Sequence, residues 1–91
     1  MSAAQTYAVE CFLPAVDRAA VQLSGDRASA AAAALREQGR TVEYVGALLF
    51  PEDEVVFHMF EASGPDPVRE ASLGAGVQFE RVVKSIPMWR S

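Results

Sequence analysis

Residues 41–62, TVEYVGALLFPEDEVVFHMFEA, decide the fold. They read as two strands folded back on each other around Pro51-Glu52-Asp53. In an extended chain Tyr44, Gly46, Leu48 and Phe50 fall on one face, and Val45, Ala47 and Leu49 on the other. The second run, Val55 to Phe60, is β-branched and aromatic, a composition that suits a pleated surface. Neither run alternates cleanly, so both faces of the hairpin are expected to be at least half covered. Pro51 cannot donate to a ladder, and the acidic residues after it favour a turn. A connection this short makes the two strands antiparallel neighbours.

The segments on either side supply what the hairpin lacks. Met1 to Gln5 is small and polar and reads as a frayed end. Thr6 to Leu13 alternates Tyr7, Val9, Cys11 and Leu13 against Ala8, Glu10 and Phe12, a strand that Pro14 stops. Asp17 is a good N-cap for a helix running to Gln38, with Gly39 as its stop. Val21, Ser24, Ala28, Ala31 or Ala32, and Leu35 recur at helical spacing. Ser24-Gly25 interrupts that pattern. It marks either two short helices, with Asp26 recapping the second, or one helix whose small residues sit close to the sheet. The apolar face continues across the gap and favours one helix. After the hairpin, Ser63-Gly64-Pro65-Asp66-Pro67 breaks the chain, with Asp66 expected as N-cap and Pro67 as first helical residue. Gly74 and Gly76 end this second helix. Phe79 to Ile86 reads as the last strand, followed by a tail, residues 87–91, that carries Trp89.

The order β-α-β-β-α-β, with right-handed crossovers, predicts an α+β, ferredoxin-like domain. Its four-stranded antiparallel sheet has strands one and three central and both helices on one face. The other face carries apolar residues and no helix, so a second copy packed sheet to sheet is the expected cover. Ninety-one residues make one domain with a small core. A net charge of −4, with basic residues scattered singly, argues against nucleic acid and against an anionic membrane surface. No apolar run nears eighteen residues and no basic-then-apolar leader opens the chain, the pattern of a soluble cytoplasmic protein. One cysteine, Cys11, leaves no internal disulfide and suits a reducing compartment.

The chain also resembles a known family on three stretches: YAVECFLP, VEYVGALLFPEDEVVFHMFEA and VREASLGAGVQFERVV. Tyr44, the run Phe50 to Glu54, Phe60-Glu61-Ala62 and the segment Val68 to Ala71 are the most specific part. These stretches look like the small actinobacterial ferredoxin-like domains, a group of otherwise unassigned function that includes a nickel-binding member. The resemblance implies the ferredoxin-like fold and a dimer. It carries no metal ligand onto a numbered position here.

Read on their own, the chemistry-bearing residues are few. His58, the only histidine, shares parity with Val56 and Phe60. Glu10 or Cys11 could meet it, according to strand register. A His58–Glu10 pair would make a general base for a small cofactor-free enzyme of isomerase or cyclase type. Cys11 with His58 could instead be a nucleophile pair or, with Glu10, part of a transition-metal site, for which the resemblance suggests nickel or another divalent ion. The plain alternative is a sheet histidine and a small apolar filler. One histidine and one cysteine fall short of four ligands unless a dimer doubles them. Tyr44 and Phe60, with other strand aromatics, could line a cleft for a small apolar molecule or simply build the core. The Glu52-Asp53-Glu54 run lacks calcium-loop spacing and reads as a solvated turn. The expectation is a small dimeric binding domain, with enzyme as the alternative.

Overall fold

A computed structural model of the chain describes residues 4–14 and 17–89. Six elements follow in order: β1 (Gln5–Phe12), α1 (Arg18–Glu37), β2 (Val42–Phe50), β3 (Val55–Ala62), α2 (Pro65–Gly74) and β4 (Arg81–Ser85). The strands form one antiparallel sheet in the order β2-β3-β1-β4, the ferredoxin-like arrangement with strands one and three central. The expected frayed start falls mostly outside the described residues; Gln5 already pairs with Ala62. Arg90 and Ser91, at the end of the tail, also lie outside them. Among the described residues no helix is long and apolar enough to cross a membrane.

Register decides which residues face the helices. Tyr7, Val9 and Cys11 of β1 stand opposite Phe60, His58 and Val56 of β3, and all six are buried. All of them but His58 join Val21, Ala28 and Ala32 of α1 and Val68 and Ala71 of α2 in one hydrophobic core. The small side chains of α1 let it lie close to the sheet, as the alanine block predicts.

The hairpin corrects the simple parity reading. A β-bulge between Tyr44 and Gly46 shifts the register of β2 against β3. Tyr44 therefore faces the helices opposite Phe60, while Leu48 and Phe50 fall on the other face, opposite Phe57 and Val55. One extra residue in one strand reverses every side chain beyond it. Gly46 takes φ +156° at this bulge, a conformation that L side chains rarely adopt.

α1 is one helix through Ser24-Gly25. The Asp17 side chain accepts from the Ala20 amide at 2.7 Å, the expected cap. A methyl group on Gly25 would come within 2.7 Å of the Tyr44 hydroxyl, so glycine is there to admit that tyrosine. α2 begins earlier than the Asp66 cap predicts. Gly64 is its N-cap without a side-chain bond, and Pro65 opens the helix. Proline is suited to the first helical position, and Asp66 then lies in the first turn, where negative charge favours the dipole. β4 is shorter than Phe79–Ile86, because only Thr6 to Glu10 of β1 pair with it.

Candidate functional site

The chemistry gathers under α1, at the middle of the sheet. His58 is 1% exposed, the one imidazole enclosed in the core. Its Nδ1 lies 2.9 Å from the Tyr44 hydroxyl. Its Nε2 has no hydrogen-bond partner among the described residues. A buried polar atom left unpaired costs about 1–3 kcal/mol, so such an atom in a small core requires a reason.

His58 also lines a cavity of about 200 Å³, with Cys11, Leu13, Ser24, Gly76, Val77 and Gln78. The floor is β1 and β3, one wall is α1, and the other is the loop after α2. Gly76 takes φ +71° in that loop, and the Val77 amide donates to the Ser72 carbonyl at 2.9 Å. The Glu80 amide then donates to the Glu10 carbonyl at 2.7 Å, which ties the loop to the sheet. A wider depression of about 670 Å³ runs beside Asp17, Arg18, Val21, Leu49 and Pro51. Among the described residues that line it none has a buried unpaired polar atom, so the smaller cavity is the better candidate.

Electrostatics keeps the site neutral. Burial lowers the His58 pKa below the ordinary imidazole value, so the ring carries no charge at neutral pH. Burial, helped by Glu10 and Glu80, pushes the Cys11 thiol up to about 11. It is no thiolate at neutral pH, and a Cys11–His58 nucleophile pair lacks its nucleophile. Burial, with Asp26 and Cys11 nearby, pushes the Tyr44 phenol up to about 12.

Glu10 is not part of this site. Val9 stands opposite His58, so Glu10 points to the other face of the sheet, where its carboxylate pairs with Arg81 Nε at 2.6 Å. The pleat separates the two residues, and the His58–Glu10 general base is not assembled. The metal trio of His58, Glu10 and Cys11 fails for the same reason. Among the described residues no three His, Cys, Asp or Glu side chains gather closely enough to hold an ion. Phe60 does not line the cavity. It packs in the core with its ring edge-on to Tyr44, centroids 5.3 Å apart. Tyr44 is not in the cavity lining either; its hydroxyl meets His58 Nδ1.

Sequence reasoning placed His58 and Cys11 on strands that could meet. It missed Leu13, Val77, Gln78 and Gly76, which reach the cavity only through the tertiary fold. Ser24 and Gly25 carried a legible signal: a glycine inside a helix-forming run, where it costs about 1 kcal/mol, indicates close approach of another group.

No protein-family model and no curated protein matches the sequence. The fold is similar to that in the crystal structure of SCO4226 from Streptomyces coelicolor A3(2). The TM-score is 0.70 at 13% identity, over 93% of this chain and 99% of that one. The likeness establishes the ferredoxin-like fold.

Proposed function

We propose that this domain is a homodimeric binding module that holds a small neutral ligand in the cavity beneath α1. The observation that supports this reading is the buried Nε2 of His58, unpaired among the described residues, in a residue that lines a half-open pocket. The space suits one ring: apolar cavities of about 150 Å³ accept benzene. Its lining is mostly apolar with a few polar groups, the usual composition of a ligand site. No charged side chain among the described residues lines it, so neither a carboxylate nor an ammonium would be compensated by them.

Nickel, the ion suggested by the family resemblance, does not fit this chemistry. One imidazole nitrogen and one protonated thiol are two donors, and Glu10 is on the far side of the sheet. The enzyme reading loses its carboxylate by the same geometry.

The dimer rests on the open face of the sheet. Phe12, Leu48 and Phe50 are each about half exposed there, beside Phe57, Met59 and Val83. Strands rising ~3.3 Å per residue and spaced ~4.8 Å apart give a face of about 500 Å² per copy. Two stacked faces therefore bury roughly 1,000 Å², the threshold for a specific interface. Ile86, Met88 and Trp89, all more than 70% exposed, extend from the edge strand and add to it.

Thermal melts of the untagged protein with single-ring neutral compounds test the ligand. A binder at a hundred times its Kd should stabilise by about 2.7 kcal/mol. Sedimentation at micromolar concentration tests the assembly. A monomer that no such compound stabilises would overturn the proposal.

A further inference from the structure

The geometry points to a ligand class: a small neutral molecule with a carbonyl oxygen, accepting a hydrogen bond from His58 Nε2–H. The inference rests on the cavity reading above and adds the polarity of its anchor. It starts with Tyr44. Among the described residues the Tyr44 hydroxyl has one hydrogen-bond partner, His58 Nδ1 at 2.9 Å. The same hydroxyl is pressed against Gly25, where a single added carbon would collide with it. Within the fold a phenol in that position satisfies its proton by donating to Nδ1, the one partner it reaches among the described residues. Nδ1 must then carry the lone pair, and in a neutral ring the proton belongs to Nε2. Nε2 is the atom left without a partner. His58 lines the cavity and its Nε2 is closed to solvent, so the N–H donor is met by a ligand that settles against the ring, and a ketone, amide or quinone oxygen completes it. A ligand with only donors would leave the N–H unpaired. A pure hydrocarbon would leave it as it is.

The apolar walls, Leu13 and Val77, receive the ring of such a ligand. Tyr44 is a positioning residue: it touches the ligand nowhere and selects the tautomer of the histidine that does. Gly25 permits that contact.

His58 is the only histidine in the chain, so its ring nitrogens can be read without assignment ambiguity. In the ¹⁵N spectrum of the wild-type protein, Nδ1 should be pyridine-type and Nε2 pyrrole-type. A proton on Nδ1 would overturn the inference before any ligand is added. Cyclohexanone and methylenecyclohexane then serve as probes, alike in shape and different in the acceptor. Cyclohexanone should move the Nε2–H proton downfield, and methylenecyclohexane should leave it. His58→Leu, checked for folding by its melt, should weaken cyclohexanone about tenfold and change methylenecyclohexane less than about threefold. Equal losses for both, or an unmoved Nε2–H while cavity amides shift, would refute the ligand class. If neither probe moves any cavity signal, the binding-module reading fails instead, and the tautomer result stands apart from it.

Discussion

A histidine 1% exposed, with no carboxylate beside it, is held neutral by the cost of burying its charge. The unfolded chain binds a proton at its ordinary imidazole pKa, and the folded chain only at lower pH. Stability contributed by the neutral ring is therefore full above pH 6.5 and falls as pH drops below it. The slope in that window should approach, and not exceed, about 1.4 kcal/mol per pH unit from this one group. Urea melts of wild type and His58→Leu between pH 7.5 and 5 should diverge in that sense; a flat difference would contradict it. Gly25→Ala sets two effects against each other. Alanine gains about 1 kcal/mol in helix propensity, whereas overpacking costs about 1–3 kcal/mol and the displaced Tyr44 loses its bond to His58. A net loss of about 1 kcal/mol is expected, with a changed His58 ¹⁵N spectrum. An unchanged spectrum would mean that the tyrosine did not yield. At this scale the sequence is only partly informative. Parity alone puts Glu10 and Cys11 on opposite faces but does not say which face His58 shares; that is a register, fixed here by Val9 standing opposite His58.

Elements were more legible than residues, because capping and periodicity are local. Asp17 caps α1 as its side chain predicts, and Asp17→Ala should cost about 1 kcal/mol in chemical denaturation. A loss below a few tenths would show the cap to be idle. The order of strands and helices, and the central place of β1 and β3, follow from short connections and right-handed crossovers. What escaped was the bulge in β2. Val45 and Gly46 look like continued alternation, and the one mark of the extra residue is the glycine inside the strand, a bulge signal that parity alone does not use. That residue turns Tyr44 toward His58 and Leu48 toward the open face. The start of α2 shifted for a smaller reason: Pro65 and Pro67 both suit a first turn, and the chain uses the earlier one.

On the scale of the whole molecule, the sheet has one face closed by helices over a cavity and one open face that carries an apolar patch beside the Glu10–Arg81 pair. In the proposed reading the two faces serve different purposes, and each can be perturbed alone. Leu48→Glu places a charge in the apolar patch of the open face, on the edge strand β2, at a position 46% exposed in the single chain. It should raise the dimer dissociation constant at least about a hundredfold, since burying an unpaired charge costs several kcal/mol. Sedimentation equilibrium would show this, and binding in the cavity should persist; an unaffected dimer would place the contact elsewhere. The measurement that tests the central claim most directly maps both faces at once. It is the ¹H–¹⁵N spectrum of the wild-type protein titrated with cyclohexanone. Saturable shifts at the His58 ring and at the amides of Cys11, Ser24, Val77 and Gln78 are predicted, with Phe12, Leu48 and Phe50 unmoved. A spectrum that does not change, or that changes only at Phe12, Leu48 and Phe50, would contradict it.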